Sequence, residues 1–430
     1  MAREHFGTDL EAESERVVLT RGLGRSYGDS SLPPPDRIDV LNTRMGDRIL
    51  NFNRETGEFR GEAGLSLHEI NRLFLRRGYF MPVTPGTQFV TLGGMVAADV
   101  HGKGHHRAGC FGSNHVTSLK IRVPDGQVLE CSPQQHEDVF WATVGGMGLT
   151  GHILEVEFAL KKIPSPWIWS RSQRIRDIDD FQEQLKVSSE KWPYGVGWID
   201  CLSRGKNMGR GILDVGRWAE PSEVGTDVPG APRRLAVPFT FPSWVLNPLT
   251  VRMFNSLYYW KHLPKVKEGK RHPESFFYPL DAILHWNRIY GKQGFTQYQC
   301  VLPNDAGRGS ARRFLEVLTR KGGASFLCVI KDCGSEGRGL LSFPMPGISI
   351  ALDIAIRNNT QRLVDELNEV VIAEGGRIYL AKDTFTRAEH FAQMEPRLDQ
   401  FNAFRDKWDP DRRVRSAQSV RMLGDDAITR

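Results

Sequence analysis

The fold is decided by residues 20–31, which read Thr20-Arg21-Gly22-Leu23-Gly24-Arg25-Ser26-Tyr27-Gly28-Asp29-Ser30-Ser31. Three glycines in seven positions let the backbone turn at positive φ and bring its amide N–H groups close to a bound anion. The loop is not a Walker A loop, since no Gly-Lys-Ser/Thr follows, and no G-x-G-x-x-G opens an amphipathic helix. Such a loop suits a pyrophosphate, and the alternative for the loop alone is an ordinary tight turn.

A second stretch of small residues lies about 65 residues further on. It contains Pro85-Gly86-Thr87 and then, at residues 91–106, Thr-Leu-Gly-Gly-Met-Val-Ala-Ala-Asp-Val-His-Gly-Lys-Gly-His-His. In both loops the small residues let the backbone come close to a ligand. Two such loops, separated by a short β-rich unit, predict a large dinucleotide bound along its length. The three histidines suggest a metal, but a four-coordinate site needs more ligands and no cysteine or second histidine cluster supports one. We therefore expect no metal.

Length and composition indicate a globular protein of two domains. The chain has 430 residues, 40% of them hydrophobic and 25% charged. The sequence shows no apolar run long enough for a transmembrane helix and no secretory signal, so we expect a cytoplasmic protein, with peripheral contact at the inner membrane or export without a visible signal left open. The six scattered cysteines fit reduced thiols. The net charge of +6 favours an anionic substrate or membrane surface, and no nucleic-acid module is visible.

Hydrophobic alternation predicts an α+β chain, not a regular βαβ array. We expect strands at 17–19, 37–41, 58–64, 118–123, 127–131 and 153–160, and a helix that begins at Ser66, paired with Glu69 as a capping box, and stops at Gly78. From about residue 165 the pattern changes to helices such as 178–189 and 360–375 and strands such as 195–202. Residues 165–375 are therefore interpreted as a second domain that supplies a substrate cavity.

The two glycine loops, with residues 111–112, 141–148 and 149–151, resemble the vanillyl-alcohol oxidase type of FAD-binding domain. Within it the chain is most similar to the family of decaprenylphosphoryl-β-D-ribose 2′-oxidases. This likeness continues through residues 295–299, 341–347 and 379–383 and covers nearly the whole chain. The resemblance implies a two-part FAD-binding domain at 1–164 and 376–430, a separate α+β cap domain at 165–375 built on an antiparallel sheet, and FAD held without a covalent bond.

The resemblance also implies which residues contact FAD. The first loop and the second loop would lie on two flanks of the cofactor, with one residue near the adenine end and others near the flavin. The residues implied are Arg21, Gly22, Leu23, Gly24, Arg25, Ser26, Tyr27, Gly28, Asp29, Gly86, Thr87, Thr91, Gly93, Gly94, Ala98, His101, Ile153, Trp198 and Tyr379.

Four polar residues, Lys382, Lys331, Gln297 and Gln299, lie in or beside apolar stretches and are candidates for the substrate site. A lysine such as Lys382 usually reaches solvent beside an apolar surface, but the resemblance puts it at the reacting centre with Tyr27, and the choice of base between them stays open. Lys331 breaks a strand-like apolar run, which is costly unless it faces a polar cavity. Gln297 and Gln299 are two residues apart, so they share one face of a strand. The alternative interpretation is that this face is simply exposed to solvent. The substrate contacts implied are Lys103, Gln299, Lys331, Gln297 and Ser349.

The resemblance implies oxidation of the 2′-hydroxyl of a polyprenylphosphoryl-β-D-ribose to the 2′-ketone, the first half of an epimerisation that makes the arabinose donor for cell-wall arabinan. A separate short-chain reductase using NADH or NADPH is the implied partner, and the aromatic and basic stretch 239–270 is the candidate membrane contact. The alternative is a stand-alone FAD oxidase of a soluble alditol or sugar lactone. Ser349 and Ala351 stand where the family has asparagine and a cysteine modified by nitroaromatic inhibitors. We therefore expect such inhibitors to act reversibly at most, and an adduct on this segment in intact-mass analysis would contradict this.

Overall fold

The computed structural model describes residues 3–16, 18–36, 39–230, 232, 234–262, 264–307 and 309–425. Within them the chain is α+β, as predicted, and divides into an N-terminal unit, a unit built on one large antiparallel sheet, and C-terminal helices that contact both. Positions 17, 37 and 38, which belong to two predicted strands, lie outside the described residues.

The N-terminal unit contains a small parallel sheet and a five-stranded antiparallel sheet. Its strands are β1 (Arg3–Phe6), β2 (Leu19–Arg21), β3 (Asp39–Asn42), β4 (Ile49–Phe52), β5 (Glu58–Glu62), β6 (Tyr79–Phe80), β7 (Val116–Arg122), β8 (Val128–Cys131), β9 (His152–Ala159) and β10 (Lys161–Lys162). Its helices are α1 (Leu10–Glu13), α2 (Leu67–Phe74), α3 (Leu92–Ala97), α4 (His105–Ala108), α5 (Phe111–His115) and α6 (Glu137–Thr143). The parallel sheet has the order β1–β3–β2, so the first glycine loop leaves its edge, and the larger sheet has the order β4–β5–β9–β7–β8.

The second unit is organised on an eight-stranded sheet in the order β15–β11–β13–β12–β18–β19–β17–β20, with antiparallel pairings throughout. The strands of this unit are β11 (Ile168–Ile175), β12 (Tyr194–Ile199), β13 (Gly211–Trp218), β14 (Leu235–Ala236), β15 (Val266–Arg271), β16 (Ile283–Leu284), β17 (Phe295–Pro303), β18 (Cys328–Cys333), β19 (Gly347–Ala355) and β20 (Arg377–Ile378). Its helices are α7 (Ile178–Lys191), α8 (Pro221–Val224), α9 (Pro248–Lys261), α10 (Pro273–Phe277), α11 (Ser310–Arg320) and α12 (Thr360–Ala373).

Helices cover one face of the large sheet. Helices α7 and α12 contact its central strands, and α11 packs against both helices. Buried Cys300, Ile330 and Ile350 point to this covered face, and Tyr298 stacks on Phe314 of α11 with ring centroids 6.0 Å apart. Because side chains alternate along a strand, the neighbours of these residues point to the opposite face, toward the N-terminal unit.

The C-terminal helices α13 (Ala388–Met394), α14 (Leu398–Trp408) and α15 (Ala417–Leu423) join the two hydrophobic cores. Phe401 packs into the core of the large sheet, whereas Phe404 of the same helix packs into the N-terminal core. The buried pair Arg405 and Asp425, 2.8 Å apart, fixes the end of this segment. The large sheet itself extends past residue 375 through β20, and the predicted domain boundaries stay a prediction.

Local signals in the sequence explain where two elements begin and end. Ser66 and Glu69 form the predicted capping box, with Ser66 Oγ accepting from Glu69 N at 3.2 Å and Glu69 Oε2 from Ser66 N at 3.3 Å. The predicted strand at 195–202 is shorter, because the Asp200 carboxylate accepts from the backbone N–H of Leu202 at 3.2 Å and turns the chain after β12.

Candidate functional site

The two glycine loops lie against each other at Gly22 and Thr91. A Cβ on Gly22 would come within 2.3 Å of Thr91 Oγ1, so a glycine is needed for this approach. Thr91 also caps α3, where its hydroxyl accepts from the backbone N–H of Gly94 at 3.3 Å. Gly93 is less tightly packed, with a Cβ there 3.0 Å from that of Ala63. The sequence separates these loops widely, and the fold brings them together.

The first loop is bonded to the segment that contains Lys382. The backbone N–H of Tyr27 donates to Ala381 O at 2.9 Å, and a Cβ on Gly28 would lie 1.6 Å from Asp383 O. The Arg421 guanidinium bridges Asp29 and Asp383, at 2.8 Å from each carboxylate. Gly28 therefore has a packing role against the chain's own backbone, in addition to the predicted role toward a phosphate.

The other predicted loop residues have mixed surroundings. Gly24 adopts φ +58, and the guanidinium of Arg21 lies against it and pairs with Glu4 at 3.2 Å. Arg25 lies over the Phe89 ring, 5.7 Å from its centroid. A Cβ on Gly86 would meet nothing within 4 Å, so Gly86 faces open space. Leu23, Ser26 and Thr87 are half-buried in the same region, and Ala98 ends α3.

His101 is the point at which the second loop contacts the large sheet. Its Nε2 lies 2.9 Å from Gln299 Nε2, which also donates to Ser349 Oγ at 2.8 Å. With the Gln299 amide in this orientation its nitrogen donates, so His101 Nε2 accepts and the ring proton is assigned to Nδ1. Burial lowers the pKa of His101 well below its usual value, and the charge on Lys331 lowers it further, so the imidazole is neutral.

Several polar atoms around His101 are buried without a partner among the described residues. They are His101 Nδ1, Gln299 Oε1 and Gln297 Oε1. Leaving such groups unpaired costs about 1–3 kcal/mol each, so a bound molecule that pairs with them is favoured. The ring of His101 packs against those of Tyr379 and Phe343, with centroids 5.1 and 5.3 Å away. The Tyr379 hydroxyl donates to Ala98 O at 3.1 Å and so joins the second loop to β20.

The uncovered face of the large sheet presents a row of polar side chains. Residues paired directly across an antiparallel ladder point to the same face, and Lys331 pairs with Ser349 while Gln297 pairs with Asp353. Gln299 lies two residues after Gln297 and shares this face. The substrate residues predicted on the sheet are therefore neighbours on one surface, which the structure brings opposite the glycine loops through the His101 contact.

Asp353 is a buried carboxylate that sequence reasoning missed. It accepts from the Tyr290 hydroxyl at 2.7 Å and from Gln297 Nε2 at 2.6 Å. Burial raises the pKa of Asp353 to about 6, and the two hydrogen bonds oppose the rise. Asp353 is a charged residue within the apolar run Gly347–Ala355, just as Lys331 is a charged residue within an apolar strand. The same criterion would have identified Asp353 from the sequence.

Three lysines lie around the site, and burial disfavours the charged form of each. Burial lowers the pKa of Lys382 to about 7, with a further decrease from the charge of Lys331 and an increase from Asp353. Burial also lowers the pKa of Lys331, and it lowers that of Lys103 to about 7 with help from Arg271. The three lysine side chains are surrounded by protein on most sides but remain partly accessible to solvent, as expected for residues that line a cavity.

Lys382 and Tyr27, the two candidate bases, are neighbours. The Lys382 ammonium nitrogen lies 5.9 Å from the centroid of the Tyr27 ring, which packs edge-on against Phe295 at 5.7 Å. Burial raises the pKa of Tyr27 far above its usual value, and the Asp353 carboxylate adds to the rise. Tyr27 is therefore a neutral phenol, whereas Lys382 exchanges a proton near neutral pH.

The remaining predicted residues have their own partners outside the contacts of His101. Lys103 donates to Phe276 O and lies over the Phe276 ring, 4.7 Å from its centroid. Trp198 shares the polar face of the sheet, where its indole N–H donates to Phe326 O at 2.9 Å and its ring packs against Tyr258 at 4.6 Å. Ile153 is buried in β9. Its role as a cofactor contact, like that of Trp198, stays a prediction.

The histidines that follow His101 have structural partners. His105 accepts from the backbone N–H of Gly334 at 2.9 Å and contacts Cys110 Sγ at 3.3 Å, and His106 contacts Trp192 O at 3.0 Å. In the part of the chain that the structure describes, no three His, Cys, Asp or Glu side chains converge in a way that could hold a metal ion.

Comparisons with known proteins agree on one class. A family model described as an FAD binding domain matches residues 10–132. Decaprenylphosphoryl-beta-D-ribose oxidase of Mycolicibacterium smegmatis is 35% identical over 421 residues, which cover 94% of this chain and 88% of that protein. A putative D-arabinono-1,4-lactone oxidase of Neurospora crassa is 28% identical over 208 residues, which cover 48% of this chain and 36% of that protein.

A solved structure extends the comparison to the fold. A variant of the BBE-like 1 protein of Physcomitrella patens superposes with a TM-score of 0.67, covering 96% of this chain and 89% of that chain. The two sequences are 14% identical, so this likeness bears on the fold alone.

Proposed function

The chain belongs to the decaprenylphosphoryl-beta-D-ribose oxidase family, and on this premise we propose that it oxidises the 2′-hydroxyl of a polyprenylphosphoryl-β-D-ribose to the 2′-ketone. It is an FAD-dependent oxidoreductase, and the FAD-binding fold and the cofactor predicted from the sequence are both confirmed. The observation that carries the choice of substrate is the cationic, polar sheet face formed by Lys331, Ser349 and Gln299, which suits a sugar bearing a phosphate.

The residues present fit the cofactor. The unpartnered His101 Nδ1–H and the open space before Gly86 lie on the second loop, which contacts the first loop at Gly22. We infer that the predicted loop residues hold FAD without a covalent bond, with His101 and Tyr379 closing one side. When bound, FAD supplies the acceptor for the hydride that leaves the sugar carbon.

The charged side chains have distinct proposed roles. Lys331 and Lys103 bind the phosphate, and Gln299, Gln297 and Ser349 orient the ribose hydroxyls by hydrogen bonds. Lys382 accepts the proton of the 2′-hydroxyl as the hydride leaves, because a pKa of about 7 leaves much of the amine neutral at physiological pH. The raised pKa of Tyr27 supports a role as a hydrogen-bond donor that positions the hydroxyl.

The ketone is proposed as an intermediate. A separate short-chain reductase that uses NADH or NADPH would reduce it from the other face, which completes an epimerisation toward the arabinose donor of cell-wall arabinan. The chain would reach its lipid-linked substrate by peripheral contact with a membrane. In the described part of the chain, no helix has the length and apolar character needed to cross a bilayer.

Anaerobic reduction of the bound flavin tests the proposal. A short-chain prenylphosphoryl-ribose analogue should bleach the visible flavin band of the purified holoprotein, and the matching arabinose compound and free ribose should not. Bleaching by free alditols or by arabinono- or gulono-lactone, without bleaching by the prenylphosphoryl-ribose, would favour a stand-alone oxidase of soluble sugars and contradict the proposal.

A further inference from the structure

Helix α9 exposes a continuous apolar stripe. Leu249, Met253, Leu257 and Trp260 are 74, 61, 66 and 55% exposed. Their spacing of four, four and three residues places them on one side of a helix. Soluble proteins rarely leave so many large apolar side chains together in water, so this side of the helix is expected to be covered.

The opposite side of α9 is fixed to the protein, so the stripe cannot turn inward. Asn255 is fully buried, and its Nδ2 donates to Asp200 Oδ1 at 2.9 Å and to Ser325 O at 3.3 Å. Val251 on the same side is also buried, and Ser256, beside the stripe, accepts from Arg210 through its Oγ at 3.0 Å. These contacts therefore fix the orientation of α9, with its apolar side facing outward.

The segment around α9 contains all of the excess charge of the protein. Residues 228–267 include six basic residues and no acidic one, and the whole chain has a net charge of +6, so basic and acidic residues balance in the rest of the chain. Arg252, Lys261, Lys265 and Lys267 are exposed beside the stripe. Trp244 and Phe239, which precede the helix, are also exposed.

We propose that the α9 surface, formed by the exposed side chains of residues 235–267, binds an anionic lipid bilayer with α9 lying in the plane of the headgroups. An apolar stripe with a basic rim is the pattern of interfacial helices, and tryptophan prefers the same depth. Anionic lipids attract each juxtamembrane lysine or arginine. A protein partner fits less well because lysine is depleted in protein interfaces, and a second copy would oppose like charges.

The bilayer would then meet the protein beside the polar face of the large sheet. Tyr258, on the inner side of α9, packs against Trp198 with ring centroids 4.6 Å apart. Trp198 pairs with Val329 of β18, two residues before Lys331, and therefore shares the face of Lys331. In this respect the inference rests on the proposed function, since it explains how a lipid-linked sugar phosphate reaches the site.

Vesicle flotation of the FAD-loaded protein tests the inference without substrate. The protein should bind vesicles containing phosphatidylglycerol and bind phosphatidylcholine vesicles more weakly, with binding to the former decreasing as salt increases. Combining Leu249→Ser, Met253→Ser and Leu257→Ser should weaken binding about a hundredfold or more. Combining Lys261→Gln with Lys267→Gln should weaken binding to anionic vesicles by about fivefold per lysine.

A matched control uses exposed apolar residues on another surface. Met45→Ser with Leu50→Ser should leave vesicle binding unchanged, because these residues lie in the N-terminal unit. Unchanged binding by the triple α9 variant, or equal binding to neutral vesicles at all salt concentrations, would overturn the inference. So would a dimer in analytical ultracentrifugation that the triple variant abolishes.

The two proposals fail separately. The triple α9 variant should reduce its flavin with the short-chain prenylphosphoryl-ribose analogue as fast as the unchanged protein, because none of its substituted residues contacts the site. If the analogue bleaches the flavin and the vesicles do not bind, the membrane inference is wrong and the oxidation stands. If the protein binds vesicles and the analogue does not bleach the flavin, the proposed oxidation is wrong and the membrane inference stands.

Discussion

Gln299 and His101 are 198 residues apart in the sequence and are joined by a contact of 2.9 Å between Gln299 Nε2 and His101 Nε2. This contact connects the second glycine loop to the middle of the large sheet and fixes the imidazole tautomer. Since the same amide also donates to Ser349, one side chain sets the orientation of groups on both sides of the site. The second glycine loop and the polar face of the large sheet are therefore held in a fixed relative position.

Replacing Gln299 by Leu should weaken FAD binding and lower the rate of flavin reduction. The substitution leaves His101 Nε2 and Ser349 without their donor, which costs about 1–3 kcal/mol and removes the preference for the Nδ1–H tautomer. Fluorescence titration of the apoprotein with FAD should show an affinity lower by about 5- to 150-fold. Gln293→Leu, at an exposed position before the same strand, is the control and should behave like the unchanged protein.

The pH dependence of flavin reduction should report Lys382. A base must be unprotonated to accept a proton, so kcat/KM should rise with pH and level off above about 7, the pKa of Lys382. Lys382→Met should lower the rate about 10²- to 10⁴-fold and abolish the rise. Lys382→Arg should be equally slow at neutral pH, because arginine stays protonated. An unchanged rise in the Met variant would assign the proton transfer to another group.

The sequence predicted the polar site in the places where a charge interrupts an apolar run. Lys331 was found in this way, whereas Gln297 and Gln299 were found as residues two apart on one strand, and only their common face follows from strand periodicity. Asp353 shows the same signal in the run Gly347–Ala355, but the sequence reasoning did not use it. Tyr290 gives no local signal, because its role arises only when residues 63 positions apart in sequence are folded together.

Other parts of the site depend on contacts that periodicity does not contain. The glycines of the first loop predicted a close approach, but the sequence could not show that Gly28 approaches Asp383 O. Residues 239–270 were recognised as aromatic and basic, yet only the fold shows which side of α9 is exposed. These features come from contacts between distant segments, which composition and local pattern do not determine.

Replacing Asp353 by Asn should move the pH profile of flavin reduction to lower pH. The Asp353 carboxylate raises the pKa of Lys382, so its removal lowers that pKa and the rising limb begins earlier. The same asparagine keeps partners for Tyr290 and Gln297, so the fold is expected to survive. Asp332→Asn, on the opposite face of the same sheet, should leave the profile in place. A profile that stays fixed in the Asp353 variant would show that this carboxylate does not act on Lys382.

Two glycines in the predicted cofactor loops should respond differently to alanine. A Cβ on Gly28 would lie 1.6 Å from Asp383 O, so Gly28→Ala must shift the backbone and should lower the free energy of unfolding of the apoprotein by about 1–3 kcal/mol. Gly86 faces open space, so Gly86→Ala should leave the melting temperature of the apoprotein unchanged.

Measuring FAD binding distinguishes a glycine that contacts the cofactor from one that is needed for packing within the protein. If FAD lies against Gly86, the added methyl group enters the space of the cofactor, and Gly86→Ala should weaken FAD binding in a fluorescence titration although the apoprotein is as stable as before. Calorimetry of the apoprotein and titration with FAD measure the two effects independently. Unaltered FAD affinity in the Gly86 variant would remove this residue from the cofactor site, whereas an unaltered melting temperature in the Gly28 variant would show that the first loop can move away from Asp383 at no cost.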